Sequence, residues 1–376
     1  MPVYLPRREF ASCARLMEPA PCTLACAFSP DGLHLVCSTA SGCLHIYSLG
    51  DGDSHPVLVA SVQAHPPGCA IYSLVFRPCG PGAEALLLSG SDDDIRGWHL
   101  RDLLSCTTKS STSRCVAAPK PLLQLRSPCR SLRRSATSPV SETSALALDA
   151  GTGLLYSASG DGNAYAWDQS TTQCVSTFKG HTDFLHCLAV RPQQQQLATG
   201  SEDGMLRLWD VRSTSCIHTI DAEMNLTTVA AKTPAMGPKS GSASGWCGCI
   251  AIDESENWLV AGWGGGYLST IELHTFACIA CLPTASAPQA VCFHPGTDSH
   301  VISVGAESNL YHWRVTGELQ TRAACSSPSV FGLAAQKSAH NPNEHMVVVG
   351  GMSAKLDVFT DFSHRAFSMD LPIMGS

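Results

Sequence analysis

GHTDFLHCLAVRPQQQQLATGSEDGMLRLWD, residues 180–210, packs a complete structural unit into 31 residues. FLHCLAV is an apolar, partly alternating run of strand length. RPQQQQ is a polar break. LATGS is a run of small residues that stops at the turn formers EDG. MLRLWD alternates again and closes on Trp209. Three short strands with turns between them predict an antiparallel sheet, and CIHTIDA just beyond it supplies a fourth.

The same order of parts recurs seven times. The recurrences are LVCSTASGCLHIYSL (35–49), LLLSGSDDDIRGWHL (86–100), LLYSASGDGNAYAWDQ (154–169), LATGSEDGMLRLWDVR (197–212), LVAGWGGGYLSTIEL (259–273), VISVGAESNLYHWRV (301–315) and VVVGGMSAKLDVFTD (347–361). Each third strand closes on a large residue: Tyr47, Trp98, Trp167, Trp209, Ile271, Trp313 and Phe359. Six residues before each stand Ser41, Asp92, Asp161, Asp203, Gly265, Glu307 and Ser353, all turn-compatible or acidic. The closing residues are separated by 51, 69, 42, 62, 42 and 46 residues. A four-stranded blade repeats at roughly 40–45 residues, so the two long steps hold insertions and not extra blades. The expected fold is all-β, a seven-bladed β-propeller.

The expected organisation is an N-terminal segment (1–21), a propeller (22–371) and a short tail (372–376). Blades lie near 22–63, 64–126, 143–179, 180–221, 246–284, 287–326 and 327–371, with insertions at 101–142 and 221–245. HRAFSMDL (364–371) is the expected last outer strand, with VYLPRREF (3–10) as the alternative that would close the ring.

Gly-His at 180–181 and Trp-Asp at 209–210 make repeat four similar to the WD-repeat family. That resemblance implies that His181, Thr199 or Ser201, Asp203 and Trp209 form a hydrogen-bonded chain pinning the blade. The chemistry of these side chains suits such a chain. A buried indole N–H needs an acceptor, and a neutral imidazole donates from one nitrogen and accepts at the other. His65, Asp92 and Trp98 repeat the parts incompletely in blade two. Asp161, Trp167 and Trp313 stand at matching places in blades three and six.

Composition sets outer bounds. The chain has 376 residues, 44% of them hydrophobic and 15% charged, with a net charge of −7. A surface basic throughout, gripping phosphate everywhere, is excluded. Arg7, Arg8, Glu9 and Arg15 interrupt Leu5 to Leu16, so neither a signal core nor a membrane anchor is expected there. No run approaches 18 uncharged apolar residues, so no membrane-spanning helix is expected. Nineteen cysteines, an odd number in a long chain, point to reduced thiols in a cytosolic or nuclear protein. Cys278 and Cys281 form a CxxC inside FACIACL, where strand alternation would send the two sulfurs to opposite faces. Packing, not zinc, is the reading there.

No nucleophile elbow, HExxH or P-loop occurs. GWGGG (262–266) sits at a strand-to-strand turn and not before a helix, so it cradles no phosphate. No catalytic group, cofactor or metal is expected, and the protein is read as a non-enzyme. Residues 101–142 carry eight basic side chains against two acidic ones. PLLQLRSP within them is a candidate outer strand for blade two; the remainder reads as a disordered loop. The basic insertion suggests contact with RNA or an acidic partner, direct or indirect, or phosphorylation around RRSATSP that would reverse the local field, beside the plainer reading of a solvated loop.

GHTDFLHCLAV, SEDGMLRLWDVR, GWCGCIAIDESENWLVAGWGGG, SVGAESNLYHWRVTGEL and LDVFTDFSHRAFSM together resemble the THO complex subunit 6 family of WD-repeat propellers. The likeness runs from about Ala64 to Met369, is strongest from Gly180 onward, and is missing from 101–142. It implies a docking role in the nucleus, in the transcription–export machinery that accompanies messenger RNA processing, splicing and export. Coiled-coil THO subunits are the implied partners. A cytoplasmic share is compatible with the same residues. A rival reading comes from Trp209-Asp210-x-Arg212, which looks like the box of propellers that serve as substrate receptors of cullin-type ubiquitin ligases through an adaptor. Asp210 and Arg212 would then contact that adaptor, since an exposed Arg can pair with an acidic partner.

Overall fold

Each strand alternates between two apolar faces, so a blade presents greasy surface on both sides and must be sandwiched between neighbours. The computed structural model describes residues 22–372 apart from 51–55, 78–83, 93, 107–114, 129–141, 223–244, 298, 338–344, 361 and 363. It contains seven antiparallel sheets: Thr23–Gln63, Ser73–Arg126, Thr143–Phe178, Leu185–Asp221, Cys247–Pro283, Pro288–Ala324 and Val330–Asp370. Their innermost strands touch in chain order, and that of blade seven returns to that of blade one. The chain is an all-β, seven-bladed propeller.

The core is divided among the blade boundaries. Seven clusters of buried side chains each join one blade to the next, including the last to the first. At the boundary of blades seven and one, Leu356, Val358 and Met369 pack on Leu35, Cys37 and Tyr47. The Tyr47 hydroxyl also donates to the Asp370 carbonyl at 3.0 Å. The small residues of each second strand serve this packing. A Cβ on Gly200 would lie 2.5 Å from the Cys247 sulfur of the next blade, and one on Gly350 would lie 2.8 Å from the Thr23 side chain. Neither position has room for a larger residue.

The outer strand of blade seven is Phe367–Asp370, taken from the candidate at 364–371, whereas 3–10 lies outside the described residues. PLLQLRSP contributes Leu123–Arg126 as the outer strand of blade two. The loop reading of the rest of that insertion is corrected at two places. Leu100–Ser105 is a short helix with Leu100 and Leu103 buried, and Val116–Ala117 pairs in parallel with the outer strand of blade one. Leu100 and Leu103 join the cluster between blades one and two, which explains why this stretch holds a conformation despite its basic, Ser-rich composition. RRSATSP (133–139) lies outside the described residues.

Alternation also fails at the CxxC. A bulge places both Ile279 and Cys278 against one partner position, so Cys278 pairs with Ile271 and Cys281 with Ser269. Both thiols then occupy one face, and the contact from Cys278 lowers the Cys281 thiol. The same bulge stands beside the closing residue in blades one, three, four and six. Among the described residues no helix is long and apolar enough to cross a membrane.

Leu356 is fully buried at the boundary of blades seven and one. Leu356→Ala should cost about 2–5 kcal/mol through lost transfer energy and the cavity left behind. The urea midpoint of unfolding reads this directly; a loss under about 1 kcal/mol would mean that the boundary is loosely packed.

Candidate functional site

Blade four carries an unbroken polar chain. The Trp209 indole donates to Thr199 Oγ1 at 2.8 Å, Thr199 Oγ1 lies 2.9 Å from His181 Nε2, and His181 Nδ1 lies 2.9 Å from Asp203 Oδ2. With its proton on Nδ1, His181 accepts from the threonine hydroxyl and donates to the carboxylate, so every atom in the line is satisfied. Burial would raise the Asp203 carboxyl, but hydrogen bonds from His181 and from the Thr182 and Met205 amides hold it at about 2. Thr199, not Ser201, occupies the chain. Ser201 instead donates to the Asp183 carbonyl at 3.1 Å and accepts from the Asp203 amide at 3.2 Å, shaping the turn.

Blade two departs from this plan. His65 Nε2 meets Ser89 Oγ at 2.8 Å, but the carboxylate beside Nδ1, 3.1 Å away, belongs to Asp94 and not to Asp92. Asp94 also accepts from Arg96 at 2.9 Å and Gln124 at 2.6 Å. Burial opposes its ionisation, yet His65, Gln124 and Arg96 keep it well below the usual carboxylate range. Asp92 accepts instead from Tyr72 at 3.1 Å. The Trp98 indole donates instead to the Pro119 carbonyl at 3.0 Å. The insertion therefore completes this blade's polar contacts.

Elsewhere the tryptophans follow a fixed offset. Trp167 donates to Ser157 at 2.8 Å and Trp313 to Ser303 at 3.1 Å, each ten residues upstream, as Thr199 is from Trp209. Asp161 does not join Trp167; it accepts from Tyr165 at 2.6 Å and from the Asn163 amide at 3.0 Å. Glu307 binds Tyr311 at 2.9 Å and the Ser286 amide at 3.1 Å. In blade five the donor is Trp263, bonded to Ser269 at 2.8 Å, while the closing Ile271 offers no polar atom. Sequence reasoning missed Ser89, Asp94, Ser157, Ser303 and Trp263; the ten-residue offset before a closing Trp was the available signal for Ser157 and Ser303.

The starts of the innermost strands surround one mouth of the ring. Tyr72, Glu142, Ser144, His186, Trp246 and Gln289 line a recess there. His186 Nε2 lies 2.5 Å from Glu202 Oε2, and its ring stands edge-on to Trp246 with centroids 5.5 Å apart. Aromatic faces beside carboxylates form a rigid surface suited to a partner's polar or cationic side chains. The WDxR box lies apart from this mouth. Asp210 Oδ1 caps the Arg212 amide at 2.8 Å, and the Arg212 guanidinium, 75% exposed, lies 3.5 Å from the same oxygen. It is a solvated, local pair.

Burial also keeps several imidazoles neutral. His45 is pushed down to about 4 by burial, and His312 to about 4 by burial and then by His300 and His294. His65, His294, His300 and His345 are lowered as well, chiefly by burial, with Lys337 adding to the effect on His345 and Arg314 to that on His300.

A family model described as "WD domain, G-beta repeat" matches residues 172–210. The chain is 30% identical over 361 residues to THO complex subunit 6 of Arabidopsis thaliana, covering 95% of this chain and 89% of the relative. It is 28% identical to human THO complex subunit 6, covering 91% and 90%, and 27% identical to the THO complex subunit 6 homolog of Danio rerio, covering 91% and 95%.

Thr199→Val should strand both the Trp209 indole and His181 Nε2, a loss of about 2–4 kcal/mol. Ser201→Ala should lose less, and equal losses in denaturant titrations would show that the chain does not pin the blade. Stability should also depend on pH. Histidines lowered in the folded state bind fewer protons than in the unfolded chain, whose value is about 6.5. Stability is therefore full above that value and falls as pH drops toward 4, a window in which Asp203, held at about 2, stays ionised. Urea midpoints between pH 7.5 and 4.5 check this, and His312→Gln should flatten the slope; a flat wild-type profile would refute it.

Proposed function

This chain belongs to the THO complex subunit 6 family, and on that premise we propose that it is a non-catalytic docking subunit of a THO complex. The observation that carries this reading is the breadth of the likeness, which spans about nine-tenths of both chains and does not stop at the shared repeat motif. A WD repeat alone would name only a fold. The reading extends to the transcription–export machinery in the nucleus, where such a subunit would support messenger RNA processing and export.

The chemistry of the ring suits holding and not transforming. Two of its buried histidine–carboxylate pairs are engaged in pinning blades: His181 is held between Asp203 and Thr199, and His65 between Asp94 and Ser89. A ring stiffened in this way holds its surface loops in fixed relative positions, so that two partners can be gripped at once. Coiled-coil THO subunits are the proposed partners. RNA contact, direct or indirect, is assigned to the basic insertion and not to the mouth, whose carboxylates repel phosphate.

The ligase-receptor reading keeps one supporting feature, the exposure of Arg212. Its pairing with Asp210 within one turn is the ordinary use of that residue, so the THO reading is preferred.

Purification of the tagged full chain from its own cells in mild salt discriminates the two. Coiled-coil THO subunits should co-purify in stoichiometric amounts and survive Arg212→Ala. Their absence would overturn the assignment, and recovery of a cullin and its adaptor, lost on Arg212→Ala, would establish the rival.

A further inference from the structure

One pair of thiols stands in direct register at the joint where the ring closes. Cys26 lies in the innermost strand of blade one (Thr23–Phe28) and Cys37 in the second (His34–Thr39). These strands are antiparallel, and Cys26 is paired with Cys37 itself. Directly opposite residues share one face of the sheet and have Cα atoms about 4.5–5.5 Å apart. A disulfide needs about 4.4–6.8 Å between Cα atoms, so the backbone already meets its requirement. The two Sγ atoms lie 3.5 Å apart. Among the described residues no other two cysteines are paired across strands in this way.

The two sulfurs differ in their surroundings. Cys37 is fully buried in the cluster that joins blade seven to blade one. Burial, and then the contact with Cys26, raises its thiol well above the usual range, so it stays protonated near neutral pH. Cys26 is 9% exposed and lines an open recess of about 540 Å3 between the innermost strands of blades one and seven. A small neutral oxidant can reach it from there.

We propose that Cys26 and Cys37 form a reversible oxidation site, at which a peroxide closes a disulfide that braces the innermost hairpin of blade one. The Cys26 thiolate attacks the peroxide O–O bond, forming an S–O bond and releasing hydroxide, which takes up a proton as water. Cys37 then displaces the hydroxyl of that sulfenic acid. Its thiol proton leaves with the hydroxyl as a second water, and the S–S bond remains. Two thiols thus give two electrons to one peroxide. Closure brings the sulfurs from 3.5 Å to about 2.05 Å, within reach of side-chain torsions because the strands already have the spacing. Exchange with a free dithiol restores the pair.

The test uses the full chain at pH 7.5, treated with hydrogen peroxide, quenched with catalase, blocked with N-ethylmaleimide and digested for mass spectrometry. A peptide pair linked through Cys26 and Cys37 should appear, and dithiothreitol before blocking should remove it. Cys37→Ser should stop at the sulfenic acid, which dimedone labels on Cys26. Exposed Cys216 reports that the oxidant has acted. The oxidised wild-type chain should also unfold at a higher urea concentration than the reduced chain. If Cys37→Ser fails to fold, the wild-type map and its urea midpoints decide. Oxidised Cys216 without the Cys26–Cys37 link, a link formed only in urea, a folded Cys37→Ser chain unlabelled at Cys26, or a midpoint that does not rise would each overturn the proposal.

Discussion

A four-stranded blade cannot bury itself. Both faces are apolar, and burying a Leu or Val side chain contributes about 1.5–3 kcal/mol only if a neighbour covers it. The chain satisfies seven blades by bending them into a ring, so that each apolar cluster spans one boundary and none is left open. Everything else depends on that closure. The glycines of the second strands let blades approach, and the buried polar chains orient one blade's large closing residue for its place in the boundary.

The polar chains are specific where the apolar contacts are only greasy. Thr199, His181 and Asp203 leave Trp209 a single satisfied orientation. Blade two reaches the same end by different means: Asp94 replaces the expected acid, and a carbonyl from the insertion takes the indole. Substituting parts in this way is possible because what must be met is the hydrogen-bonding requirement of each buried atom, not the identity of its partner.

Much of this architecture is legible in the residues. The closing positions Tyr47 to Phe359 keep one register, and strand pattern plus turn residues suffice to count blades. Three things escape such a reading, each for a physical reason. The bulge at Ile279 breaks the alternation that would separate Cys278 from Cys281. Asp94 and Pro119 act through space, from a strand start and an insertion that carry no repeat signal. His294, His300, His312 and His345 have no motif spacing, and only the packing of blade seven on blade six brings them together. At the mouth, Tyr72 and Trp246 likewise precede strands whose convergence no local pattern announces.

The parallel pairing of Val116–Ala117 with blade one gives the wheel uneven stiffness. Blades one and two share main-chain hydrogen bonds in addition to side-chain packing, which ties them more firmly than packing alone. The joint between blades seven and one is the opposite case: the backbone passes through every other joint but not this one. Side-chain contacts and the Tyr47–Asp370 bond are what hold it among the described residues. Under tension from a partner tugging on its rim, the ring would therefore spring open like a split washer at that joint, beside its most heavily reinforced sector.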